Sequence, residues 1–119
     1  MDLNHVKAQL RAFAEERDWD QFHNPKNLVM ALAGECGELL ALFQWLTPEQ
    51  AAEIAQDAAK FRAVEDEVAD VFIYLVRLAD KLGVDLERIV ARKMAQNAAK
   101  YPVAKARGNC RKYTELQDE

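Results

Sequence analysis

The residues best suited to do chemistry in this chain are four carboxylates in two pairs. Glu35 and Glu38 stand three apart in GECGELL (34–40), among small and apolar neighbours, and Glu67 and Asp70 repeat the spacing in EDEVADVFIYLV (65–76). Residues at i and i+3 share one helix face, with Cβ atoms about 5–6 Å apart. Two such helices packed antiparallel would bring four carboxylates into one pocket, where their repulsion would be severe without a cation. Oxygen donors of this kind suit Mg²⁺, or Mn²⁺ in its place, rather than zinc. The competing reading is a solvated face, the ordinary fate of charged pairs at this spacing. No Lys or Arg lies within a helical turn of Glu35 or Glu38 to pair with them, whereas Glu65 and Asp66 beside the second pair belong to an outer, wet face. Spacing alone leaves both readings open.

The pairs need helices to carry them, and the sequence supplies start and stop signals. Four Gly and three Pro, no strand-like alternation and an abundance of Ala, Leu, Glu, Lys and Arg predict an all-α chain. Asp2 caps a first helix to about Arg17, and DWDQFHNP (18–25) interrupts it. Asn24 followed by Pro25 opens a second helix bearing Leu28, Leu32, Leu39, Leu42 and Phe43 and ending near Leu46. Thr47, Pro48 and Gln50 form a capping box for a third helix that runs on to Gly83, a left-handed terminator. Asp85 caps a fourth helix, which Pro102 closes. The reading is one domain over 1–119, with four main helices in a bundle and a basic, then acidic, tail over about 103–119.

Composition narrows the function classes. A chain of 119 residues, 50% hydrophobic and 30% charged with a net charge of −4, has material for one core and no cationic field for a nucleic-acid polymer. No apolar run approaches a membrane span, and the N-terminal residues lack a signal-peptide core, so the expectation is a cytoplasmic protein without membrane contact. Cys36 and Cys110 make neither a disulfide framework nor a zinc pattern. The many Ala, Leu and Val positions offer more apolar face than one small bundle buries, which points to a homo-oligomer.

The pattern Glu35-x-x-Glu38, 28 intervening residues, then Glu67-x-x-Asp70 resembles the signature of the MazG-like all-α nucleoside triphosphate pyrophosphohydrolases. The similarity extends through ERDWDQFHNPKNLVMALAGECGELLALFQW, EDEVADVFIYLVRLADKLGVDL, KMAQNAAKYP and RKYTEL, from about Phe13 to Leu116, and is that of the branch containing the dCTP pyrophosphatases. This resemblance implies Mg²⁺-dependent cleavage of a nucleoside triphosphate between the α and β phosphates, giving the monophosphate and pyrophosphate, in nucleotide-pool sanitation. The implied substrate is dCTP or a related or modified pyrimidine deoxynucleotide. Divalent-metal chemistry would account for the lack of a Ser or Cys nucleophile arrangement and of a phosphate-cradling Gly-rich loop.

Residue by residue, the resemblance makes Glu35, Glu38, Glu67 and Asp70 metal ligands, with Glu38, ahead of Glu35, orienting or deprotonating the attacking water. Trp19, Trp45 and Tyr74 match base- and sugar-pocket positions, although core packing is the usual role of an aromatic. Lys93 and Asn97 match a phosphate- and sugar-contacting pair, and Lys100 adds a phosphate contact. The family assembles as dimers or tetramers. Related dCTP-preferring enzymes carry a His on the first helix where this chain has Leu10, which implies broader acceptance of pyrimidines. His5 and His23 have no partner at ligand spacing and read as structural or exposed. Two rivals differ in class: a ferritin-like di-metal bundle, which wants Glu-x-x-His pairs that are absent here, and a non-catalytic helical oligomerisation or nucleotide-binding module, which would need neither metal nor turnover.

Overall fold

A computed structural model describes residues 1–117; Asp118 and Glu119, the acidic end of the expected tail, lie outside the described residues. Helices begin where a side chain can cap them. Asp2 accepts from the backbone N–H of Asn4 and His5 and opens α1 (Leu3–Glu16). Asn24 accepts from Asn27 N–H at 2.9 Å, and Pro25, whose missing N–H costs nothing in a first turn, begins α2 (Pro25–Phe43). Thr47 and Gln50 close their capping box at 3.1 and 3.0 Å over α3 (Pro48–Ala52).

Here the structure departs from the expected single third helix. After α3 the chain makes a 3₁₀ turn (Ile54–Gln56) and restarts as α4 (Ala58–Leu82). Asp57 adopts extended backbone, φ −102° and ψ 103°, and its side chain takes the N–H of Lys60 at 3.1 Å, so it is an N-cap rather than a mid-helix residue. The break brings Ile54 beside Leu42, Leu46 and Ala63 in a groove between α2 and the start of α4. A straight helix would carry Ile54 past that apolar contact. Gly83, at φ 67°, ends α4 in the left-handed conformation that glycine tolerates without a Cβ clash.

Asp85 caps α5 (Leu86–Lys100), and the expected irregular tail instead contains α6 (Val103–Ala106) and α7 (Tyr113–Leu116). Among the described residues there are thus seven α-helices, four of them long, and no strand. No helix is long and apolar enough to cross a membrane.

Two compact units divide at Gly83. In the first, α2 lies along α4 and α1 crosses onto α4, burying Ala14, Leu28, Val64, Val76 and Ala79. Leu42 lies near Ala63 and Glu35 near Glu67, so α2 and α4 run antiparallel. In the second unit Leu116 is 1% exposed, and Tyr113 sits edge-on to Tyr101 with the Lys100 ammonium over its ring.

Candidate metal centre

Antiparallel packing of α2 on α4 delivers the carboxylates. Glu35, Glu38 and Glu67 each bring an oxygen to within 4.8 Å of the others. Glu38 is exposed, while Glu35 and Glu67 each bury Oε2 with no other described group to satisfy it. Carboxylates crowded together in this way repel one another, so without a cation the cluster favours holding a proton. The hydrogen bond to Glu35, then burial, then Glu38 push the Glu67 carboxyl up to about 7. The same hydrogen bond lowers Glu35, but burial and the charges of Glu38 and Asp70 outweigh it, and Glu35 also stands above the usual carboxylate range. Orphaned, buried, all-oxygen donors fit a hard divalent cation, which would replace the proton and satisfy both oxygens.

Asp70, one turn on from Glu67, carries the cluster into a second feature. It lines a cavity of about 230 Å³ together with Leu10, Phe13, Trp19, His23, Ile73, Tyr74 and Arg77. Trp19 is placed there by the end of α1. Asp18 takes φ 55°, its N–H bonds to the Glu15 carbonyl, and the Trp19 N–H reaches back to the Ala14 carbonyl at 2.8 Å. This is a Schellman closure with Asp, which tolerates the left-handed region better than most residues, where glycine is usual. The Trp19 ring then meets Phe13 edge-on, with centroids 5.8 Å apart.

Beneath these rings lies a charged network. Arg77, its side chain only 5% exposed, donates to His23 Nδ1 at 3.2 Å, to Asp20 at 2.5 Å and to Asp80 at 3.4 Å. Arg11 clamps Asp80 through both carboxylate oxygens, with Nε 2.6 Å from Oδ2, and Lys81 holds Asp20 at 2.7 Å. The Arg11 hydrogen bond keeps Asp80 below the usual carboxylate range, and Lys81 does the same for Asp20. Burial and the Arg77 and Lys81 charges hold His23 below its ordinary value, although Asp20 pulls the other way.

The structure brings Trp19, Tyr74 and Asp70 to one cavity and three of the four carboxylates to one point. Trp45 is not among the residues lining that cavity; it is 86% exposed in the turn after α2. Lys93 and Asn97 lie exposed one turn apart on α5, and Lys100 is engaged with Tyr113. Sequence reasoning missed Arg77 and set His23 aside. A lone Arg inside the apolar run FIYLVRLA was the available signal, since a buried guanidinium requires acceptors.

An all-α chain with paired helical carboxylates beside an aromatic cavity defines a class, and the MazG-like family model matches residues 31–116. The chain belongs to the MazG-like family. It is 49% identical over 115 residues to dCTP pyrophosphatase 1 of Rattus norvegicus and, also at 49%, to that of Homo sapiens, in each case over 97% of this chain. The chain spans 66% of the length of these relatives. A crystal structure of a pyrophosphatase from Archaeoglobus fulgidus is similar with a TM-score of 0.76 at 37% identity, over 83% of this chain and 91% of that one.

Proposed function

We propose that the chain is a Mg²⁺-dependent nucleoside triphosphate pyrophosphohydrolase that converts pyrimidine deoxynucleoside triphosphates, dCTP among them, to the monophosphate and pyrophosphate. The observation that carries this reading is the pair of orphaned buried oxygens on Glu35 and Glu67, beside Glu38 and within reach of the Asp70 charge, at the edge of the aromatic cavity. When bound, Mg²⁺ or Mn²⁺ supplies the charge compensation a triphosphate requires and the acidity that turns water into a nucleophile. Glu35, Glu38, Glu67 and Asp70 would hold the cation, and Glu38, the exposed member of the cluster, would also orient the attacking water and take its proton.

Trp19 and Tyr74 flank the base, while Lys93 and Lys100 meet phosphate oxygens and Asn97 the sugar. The family match runs across both compact units, which supports reading the chain as one domain built on its four long helices. The exposure of Val29, Met30, Leu40, Val68 and Trp45 supports a homo-oligomer, a dimer or tetramer, in which Trp45 reaches a base from a surface that a second copy covers. The setting is the cytoplasm and the role is nucleotide-pool sanitation.

The test is pyrophosphate release from a panel of nucleoside triphosphates in ¹⁸O-labelled water, with Mg²⁺ and with chelator. Label in the monophosphate and intact pyrophosphate are expected. Orthophosphate with a diphosphate product would overturn the reaction position. Absence of turnover, with a Mg²⁺-induced thermal shift retained, would leave a nucleotide-binding module.

A further inference from the structure

His23 has no part in the proposed reaction, yet its ring forms part of the cavity wall with Trp19, Tyr74 and Asp70. Its protonation is fixed by its partner. Arg77 Nε–H donates to Nδ1 at 3.2 Å, and an Nδ1 that accepts leaves the proton of the neutral imidazole on Nε2. The guanidinium cannot turn away, because Asp20 and Asp80 hold its terminal nitrogens. Burial and the nearby positive charges favour the neutral ring. The result is an N–H donor of fixed identity on a residue that lines an otherwise largely apolar cavity. Among the described residues no protein acceptor is hydrogen-bonded to that Nε2.

A fixed donor selects an acceptor. On a pyrimidine the exocyclic amino group of cytosine is itself a donor and cannot serve, whereas O2 is an acceptor on cytosine, uracil and thymine alike. Cytosine has no other ring carbonyl. We infer that His23 is a specificity-determining residue, donating Nε2–H to the O2 carbonyl of a pyrimidine lodged in the cavity, and that Arg77 is the residue that positions it. The inference rests on the proposed function and extends it. His23 reads a feature common to the three pyrimidines, so this contact admits all of them and does not single out dCTP.

The experiment compares dUTP, 2-thio-dUTP and 4-thio-dUTP on the full chain in Mg²⁺, with wild type, His23→Leu, His23→Asn and Arg77→Met. Sulfur accepts hydrogen bonds weakly, and a lost hydrogen bond of this type costs roughly 1–3 kcal/mol, or about 5- to 150-fold. In the wild type 2-thio substitution should raise KM by about tenfold or more, while 4-thio substitution has little effect. In His23→Leu, KM for dUTP should rise by a similar factor and the 2-thio penalty should vanish. Arg77→Met should lower the 2-thio penalty, and imidazole ¹⁵N shifts should report Nε2–H in wild type and a tautomer mixture in the variant. An unchanged 2-thio penalty in His23→Leu overturns the inference, as does a penalty that moves to the 4-thio substrate. If His23→Leu does not fold, the same ratio in His23→Asn and the tautomer measurement decide. A wild type that releases pyrophosphate from no nucleotide refutes the proposed function and this inference with it, whereas turnover with unchanged ratios refutes the role of His23 alone.

Discussion

Arg77→Met removes a buried guanidinium while keeping most of its apolar stem, and the network around it sets the size of the effect. Three hydrogen bonds disappear, to His23, Asp20 and Asp80. Breaking a buried ion pair typically costs about 3–5 kcal/mol, because the surviving charge is left unpaired. That penalty is avoided here. Asp80 keeps both contacts to Arg11, Asp20 is about half exposed and keeps Lys81, and His23 can move its proton to Nδ1. Methionine also relieves the desolvation of the charge. The net destabilisation should therefore be about 1–2 kcal/mol. In a chain of this size about 1 kcal/mol corresponds to roughly 3–5 °C, so Tm should fall by about 3–10 °C. Differential scanning calorimetry in chelator, with Arg77→Lys as a charge-retaining comparison, measures it. A fall beyond about 15 °C would show that Asp20 and Asp80 depend on Arg77 alone, and no fall would show that the network carries no stability.

Glu38→Gln and Asp70→Asn should each reduce turnover by at least about a hundredfold while leaving the metal-free fold as stable or more so, since like-charge repulsion is relieved; activity within a few fold of wild type at saturating Mg²⁺ removes them from the site. The raised Glu67 carboxyl makes metal-free stability depend on pH. Folded and unfolded chains both hold this proton below about 4.5, only the folded chain holds it between about 4.5 and 7, and neither holds it above. Its contribution is therefore complete on the acid side and is lost as pH rises to about 7, so Tm in chelator should decline across that window and Glu67→Gln should flatten the decline; an equal slope in both proteins places the proton elsewhere. Trp45→Ala should raise KM by about tenfold, from the roughly 1–3 kcal/mol that base stacking contributes, and an unchanged KM returns Trp45 to a role outside the site.

What could be read in the sequence was local. Asp2, Asn24, Thr47 and Asp85 each cap a helix within three residues of themselves, and Gly83 stops one by its own backbone, so those boundaries are written in short strings. The carboxylate pairs were legible for the same reason, since i, i+3 spacing on two helices is enough to specify two faces. Asp57 was missed because AAEIAQDAAK is favourable helix sequence throughout, and the interruption brings Ile54 to a groove that exists only once α2 is in place. The His23–Arg77 contact was illegible because it joins residues 54 apart: the lone Arg in FIYLVRLA signals a buried guanidinium but does not name its partner. The burial of Leu116 follows from folding of the second unit, to which the RKYTEL string gives no periodic clue.

The clasp of Arg11 on Asp80 spans 69 residues, and that of Arg77 on Asp20 spans 57. A chain emerging from the ribosome exposes α1 and α2 long before it can complete either clasp. Until α4 has been synthesised to its middle, Glu35 and Glu38 have no opposite carboxylates, and until it nears its last turn Arg77 and the network beneath the cavity are missing. Contacts of such long range form slowly, so the nascent chain passes through a stage with helices but no cavity. The same late-arriving stretch, Glu67 to Asp80, brings both the second carboxylate pair and the cavity floor. Metal affinity and base recognition should therefore appear together during synthesis, and a chain released early should have neither.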